Sequence, residues 1–458
     1  MTPLELSIRF FLQLAIVLGA CRVVGRLAAR VGQPQVVGEM IAGVLLGPSL
    51  CGLLSSRAFS NGWLPLDVQA WVFPAAARPL FFAVSQLGIA LYMFLVGVEF
   101  RIDLFRGRVR NAAVVSVAGM IVPFGLGALL ALTLVGDAQF FTVNVQTWQA
   151  MLFLGASMCI TAFPMLARII VERGLAGTAL GTLALSAGAI DDAAAWCILA
   201  IVLASFHGDP RIAVLAIGGG AVYAVFVLTV LRRLLVPLAR RVERGQEIDE
   251  PTLATVLMLV MLGAWFTDAI GIYAVFGAFL LGTAMPRGRF AAELRRTMEP
   301  MVVTLLLPLF FTYSGLNTRL DLVDTPRLWG VALLALAAAC LGKGGACWAA
   351  ARALGEDQPT ALAVGTLMNA RGLMELIILN IGLEAGLITP ALFSIMVVMA
   401  ITTTLMASPL FERVYGRAAR ATGELPARPC TSHPCAPTPL FRAPVHRGTI
   451  GYGAFLPL

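Results

Sequence analysis

Five ionisable side chains lie inside long apolar runs of this 458-residue chain: Asp191, Asp192, Lys343, Arg371 and Glu375. A charge placed in hydrocarbon costs roughly 2.5–3.5 kcal/mol on insertion scales, so such residues mark functional sites by default. Asp191 and Asp192 stand side by side in "SAGAIDDAAAW", padded by Ala and Gly that let other helices approach closely and leave room for water and an ion. Neighbours on a helix point about 100° apart, so the two acids do not share one partner. One can meet Lys343 while the other faces a cavity. Lys343 is the only lysine among 33 basic residues. Its amine can give up a proton on burial, which a guanidinium does not. Burial favours the neutral forms of an acid and an amine, and their mutual attraction favours the charged forms. The balance is a group able to change protonation near neutral pH. The chemistry expected is competition: Asp192, with Asp191, holds a proton or a monovalent cation by turns. Thr161 and carbonyls freed near Pro164 supply neutral oxygens. Arg371 and Glu375 stand four apart and pair across one turn, a mainly structural role in which Arg371 also holds broken backbone.

These residues need elements that carry them into a membrane. Hydrophobic residues make up 59% of the chain and charged ones 13%, and the mean hydropathy is +0.87. Soluble domains run near about 25% charged. The chain reads as an all-α polytopic membrane protein with about thirteen spans, at 6–29, 33–53, 80–100, 112–135, 149–171, 177–206, 211–233, 252–268, 270–286, 298–316, 327–352, 359–384 and 390–412. The first span lacks a basic leader and a cleavage site, so it is not a signal peptide. With the N-terminus outside, 25 basic residues fall on the inner side, six on the outer, and Lys343 and Arg371 within the membrane. The positive-inside rule then places the N-terminus outside and the C-terminus in the cytoplasm of a cell (inner) membrane. The net charge of +8 is thus topological and needs no nucleic-acid partner.

Spans one to six and eight to thirteen form two six-helix sets, inverted because the connector at 211–233 is odd. The fifth member of each set carries helix-breaking chemistry at its middle: Pro164 in "GASMCITAFPMLARII", and Gly365, Asn369, Arg371 and Gly372 in "GTLMNARGLMELI". Paired interrupted segments in two inverted halves point to a secondary transporter's midplane site. With two acids and one lysine, more protons than cations can move per cycle, which makes transport electrogenic.

Eight motifs in order carry a resemblance. They include "GQPQVVGEMIAGVLLGPS" at 32–49, "LYMFLVGVEF" at 91–100, "SMCITAFPMLARII" at 157–170, "SAGAIDDAAAW" at 186–196, "LGKGG" at 341–345 and "NARGLMELIILNIGL" at 369–383. Over residues 1 to about 415 the chain resembles the cation:proton antiporter-2 branch of the monovalent cation/proton antiporters, in the sodium/hydrogen exchanger superfamily. The resemblance implies a transport domain at 1–416 in a homodimer within the lipid bilayer. Its dimerisation part would be about 6–100 and 252–316, and its moving core about 112–206 and 327–412, with discontinuous helices crossing there. It implies that Asp191 and Asp192 match the acid pair of electrogenic members, that Lys343 pairs with the first acid, and that Thr161 sits at the crossing. No cofactor and no enzymatic step are implied. Glu99 matches a family position at the end of span three and is expected to pair with Arg101 or Arg106.

Many potassium-handling members continue into a nucleotide-binding regulatory domain. Here residues 417–458 read as a disordered cytoplasmic tail, and its "CTSHPC" reads as part of a Pro-rich segment rather than a metal site. Two other classes use membrane carboxylates. An aspartyl protease needs facing acids from separate helices, which adjacent acids on one helix do not provide. The closer rivals are a potassium efflux system and a cation channel-like transporter; for a channel, no carbonyl-lined filter or charged ring is recognisable.

Overall fold

A computed structural model describes residues 2–33, 35–52, 68–99, 109–175, 178–206, 210–243, 247–270 and 273–421. The tail segment at 422–458, with Cys430, His433 and Cys435, lies outside them, as do Arg101 and Arg106. The last helical stretch continues to Ala421, taking in the first five residues of the expected tail. Among the described residues the secondary structure is helical, apart from one isolated bridge between Phe141 and Ile388.

The helices are α1 (Pro3–Arg30), α2 (Gln35–Leu46), α3 (Arg78–Glu99), α4 (Val109–Leu134), α5 (Thr147–Cys159), α6 (Phe163–Glu172), α7 (Ala179–Phe206), α8 (Pro210–Val225) and α9 (Arg232–Glu243). They continue with α10 (Glu250–Ala269), α11 (Ala274–Ala284), α12 (Arg289–Met301), α13 (Leu307–Asn317), α14 (Pro326–Ala339), α15 (Gly345–Ala353), α16 (Gln358–Met368), α17 (Leu373–Glu384) and α18 (Pro390–Phe411). Their starts follow local chemistry. Asp249, Thr325, Asp357 and Thr389 each accept a backbone N–H of the following first turn, and a proline sits in each of those turns. There its missing donor costs nothing. By length and composition, eight helices among the described residues suffice to cross a membrane. The count of thirteen spans stays an expectation, because the short and interrupted helices fall below that length. Large apolar side chains stand exposed along outer faces, among them Leu4, Ile8 and Phe11 of α1 and Trp265 of α10. Hydrocarbon is the solvent that tolerates them.

Two groups of helices pack within themselves. The first joins α2 to α1 and α13, and α3 to α11 and α13; the second joins α4 to α5, α7 and α15, and α16 to α15, α7 and α18. Backbones touch where glycines remove the side chain. A Cβ on Gly43 of α2 would collide with the Phe311 carbonyl, and one on Gly315 of α13 with the Gly43 carbonyl. Gly97 and Gly282 interlock α3 with α11 in the same manner. In the second group, Gly127 and Gly155 bring α4 onto α5, and Gly344 and Gly365 bring α15 onto α16. Gly155 and Gly365 each lie about one turn before a break, at corresponding places in the two halves.

Polar contacts join the groups at both ends. At one end Arg173 donates to Gly32 O at 2.8 Å and pairs with Glu412 at 2.8 Å, and Gln33 donates to Leu405 O at 2.9 Å. At the other, Tyr313 donates to Glu384 at 3.0 Å, Asn317 to Asn380 at 3.5 Å, and the Arg319 N–H to Ser394 Oγ at 2.7 Å.

The breaks fall at 160–162, between α5 and α6, and at 369–372, between α16 and α17. Ile160 is extended. Gly372 has φ 145° and ψ −115°, a conformation open only to glycine in practice. Pro164 is the second residue of α6, so it belongs to the restart rather than to the interruption. A first-turn proline is tolerated because that N–H has no partner in the helix. The two interrupted stretches bind each other, Ala162 N–H donating to Ala370 O at 3.1 Å. Arg371 crosses to the end of α5, where its guanidinium donates to Ser157 O at 3.3 Å and Met158 O at 2.6 Å. A cation there also meets the negative end of the α5 dipole. Thr404 of α18 accepts from Arg371 N–H at 3.2 Å, and its hydroxyl lies 2.7 Å from Arg371 O. Glu375 pairs with Arg371 at 3.5 Å, with both side chains at 1% exposure or less.

Gly315→Leu is expected to destabilise the protein by about 1–3 kcal/mol, the usual cost of overpacking. Gly330→Ala in α14, where nothing approaches within 4 Å, is expected to be neutral or stabilising by up to about 1 kcal/mol. Thermal-shift measurements in detergent compare the two. Arg371→Gln leaves Glu375 as an uncompensated buried charge and is expected to cost about 3–5 kcal/mol. Adding Glu375→Gln should recover part of that loss in the same assay.

Candidate functional site

The second group of helices brings the site together. Asp191 lies near the middle of α7 with its carboxylate completely buried. Lys343 reaches it from a π-helical turn at Cys340–Gly344, which joins α14 to α15. π-Turns inside α-helices occur often at functional sites. Lys343 Nζ stands 2.9 Å from Asp191 Oδ2, both side chains at 0% exposure, and also donates to the carbonyl of Cys159, the last residue of α5. The lone lysine therefore holds two things: the first acid and the end of a broken helix.

Thr161, inside the first break, donates to Asp191 Oδ2 at 2.5 Å. Ser116 of α4 donates to Asp191 Oδ1 at 2.5 Å. Both carboxylate oxygens are thus met by donors, drawn from α4, the break and the π-turn. Charge-assisted hydrogen bonds of this kind are roughly twice as strong as neutral ones. Asp192 follows on the same helix and is also completely buried. A cavity of about 500 Å³ reaches Cys159 between α4 and α7, lined by apolar side chains including Met120, Phe124 and Ile198; neither acid lines it.

The sequence-derived residues fall into two clusters. Thr161 and Lys343 both bind Asp191, with Asp192 one residue away. Arg371, Gly372 and Glu375 hold the second break, and Asn369 closes α16, its N–H bonding Thr366 O at 3.3 Å. Ser116 was not anticipated. It is one small hydroxyl in the apolar run "AAVVSVAGM", and nothing local separates it from a serine bonded to its own helix. Thr404 was missed for the same reason. Glu99 pairs with Arg295 of α12, a residue remote in sequence; the expected partners Arg101 and Arg106 lie outside the described residues.

Comparisons with known proteins identify the family and the fold. The family described as sodium/hydrogen exchanger, transmembrane, matches residues 14–414. The chain is 40% identical over 406 residues to the Na(+)/H(+) antiporter NhaS4 of Synechocystis, covering 87% of this chain and 95% of that protein. It is 31% identical to the K(+)/H(+) antiporter 1 of Saccharomyces cerevisiae, over 90% of this chain and 47% of that one. It thus spans about half the length of that yeast protein, as it does of the plant relative Cation/H(+) antiporter 18, at 50%. The fold matches the sodium proton antiporter MjNhaP1 of Methanocaldococcus jannaschii with a TM-score of 0.62 at 15% identity, covering 89% of this chain and 96% of that one. With its interrupted helices crossing beside a buried acid pair, the chain is a multi-pass membrane protein belonging to the sodium/hydrogen exchanger family of monovalent cation/proton antiporters.

Proposed function

We propose that the chain exchanges a monovalent cation, Na+ or K+, for protons by alternating access, with Asp191 and Asp192 as the site where the two compete. One observation carries this reading: a buried carboxylate held by a buried amine at the crossing of two broken helices. A cation arriving at the acids meets the Lys343 ammonium. Two unit charges about 4 Å apart repel by about 4 kcal/mol at an effective dielectric of 20. The amine relieves that repulsion by releasing a proton. Neutral Lys343 stays in place beside the Cys159 carbonyl. On the other face of the membrane, reprotonation of the amine restores its grip on Asp191 and expels the cation.

In this reading the interlocked first group, about 6–100 and 252–316, is the dimerisation part of a homodimer. The second group, about 112–206 and 327–412, is the moving core. The N-terminus lies outside and the C-terminus in the cytoplasm of the cell (inner) membrane, which puts the Arg173 contacts on the inner side. With Lys343 carrying a proton in addition to those on the acids, exchange is electrogenic. The transmembrane potential then does about 2.3 kcal/mol of work per net charge per 100 mV. The relatives named above are antiporters, which favours exchange over the channel reading.

Reconstituted in proteoliposomes, the protein should show cation-driven proton movement that saturates with cation concentration; passive, non-saturating cation flux would favour a channel. Asp192→Asn is expected to abolish exchange, and wild-type turnover in that variant would remove the proposed site. Lys343→Gln is expected to lose net charge movement or all activity in solid-supported-membrane electrophysiology with Na+, Li+ and K+ jumps. A fully electrogenic Lys343→Gln variant would reduce the lysine to a brace.

A further inference from the structure

We infer that the Ser116 hydroxyl is a switching ligand of the transported cation: it holds Asp191 between ions and turns its lone pairs to the ion when one binds. This inference rests on the exchange reading above and adds a residue to it. Three observations carry it. Ser116 is completely buried, and its Oγ lies 2.5 Å from Asp191 Oδ1. Its only proton has a second acceptor in reach, since Met120 Sδ stands 3.9 Å from the same oxygen. Thr161 repeats the arrangement on the other carboxylate oxygen, with Asp191 Oδ2 at 2.5 Å and Met368 O at 3.4 Å.

A serine hydroxyl has one donor and two acceptor lone pairs, and its hydrogen rotates freely. While Asp191 is engaged with Lys343, both hydroxyls donate to it. When a cation takes the place of the ammonium, donation toward the carboxylate opposes the ion. Each proton can then swing to its second acceptor, Met120 Sδ or Met368 O. The two oxygens thereby become neutral ligands on either side of Asp191. Hard cations take oxygen ligands, so the ion gains two without any backbone movement. The helix that brings Ser116 there is positioned for close contact. Gly119 of α4 lies against Cys347 Sγ with no space for a Cβ, and Cys347 is one turn beyond Lys343.

The test uses the full chain in proteoliposomes, measuring KM and kcat for Na+ and K+, with thermal stability in parallel. Ser116→Ala is expected to raise the cation KM about tenfold, the value of one good polar contact at about 1.4 kcal/mol. Its kcat at saturation should stay within about twofold. Ser116→Thr keeps the hydroxyl and should restore most of the KM. If Ser116→Ala does not fold, Ser116→Cys is judged by the same criteria, because sulfur is a poor ligand for a hard ion. A wild-type KM in Ser116→Ala overturns the inference. So does a loss of stability and kcat with KM unchanged, or a Ser116→Thr variant that behaves like Ser116→Ala. If Ser116→Ala is wild type while Asp192→Asn is inactive, the switching ligand alone fails; if Asp192→Asn still transports, the exchange reading beneath it fails.

Discussion

Backbone polar groups released inside hydrocarbon have no water to bind, and each one left unsatisfied costs several kcal/mol. This constraint governs the centre of the molecule, where two helices stop and restart. The end of α5 presents the carbonyls of Ser157, Met158 and Cys159, and these are met by Arg371 and Lys343. The end of α16 is met by Thr161 and by the Ala162 N–H. In the proposed cycle, structural repair and ion chemistry therefore use the same side chains. A broken helix is expensive in lipid, and the groups that make it tolerable are the ones that make it useful.

The consequence is electrostatic coupling between the acid pair and the fold. A buried ion pair is by itself weak evidence for stability, since desolvation can outweigh attraction. Lys343 and Asp191 are better understood as two ends of a network that includes a helix terminus. In the proposed cycle, a change in what Asp191 holds also changes what the α5 terminus feels. Arg371, with Glu375 beside it, keeps that terminus occupied while Lys343 alternates. A permanently charged guanidinium suits the constant role, and an amine suits the variable one.

Much of this was legible in the sequence. Charged residues in apolar runs stand out because hydrocarbon makes them costly, so Asp191, Asp192, Lys343, Arg371 and Glu375 were visible at once. Gly372 was visible because its backbone conformation excludes other residues, and the motif order displayed the family. Pro164 was visible but placed one step off: it marks where a helix restarts. What stayed hidden depends on tertiary distance. Ser116 is an ordinary residue until α4 is laid against α7, and Arg295 becomes the partner of Glu99 only when α12 meets α3. Small hydroxyls carry no local signal that tells a ligand from a self-bonded side chain, because either role fits the same helix.

The glycine interlocks have a mechanical meaning. Where a carbonyl rests on the bare backbone of a neighbour, as between Gly43 and Gly315 or Gly97 and Gly282, two helices cannot slide without colliding. Those pairs behave as rivets within a plate. Between the plates runs an apolar seam, with Val37 and Met40 of α2 and Met93 of α3 sharing one buried cluster with Met165 of α6 and Ile377 of α17, tied at its ends by hydrogen bonds worth about 0.5–1.5 kcal/mol each. Apolar contact is non-directional, so in the proposed cycle this seam is the boundary along which one plate shifts past the other while each keeps its shape.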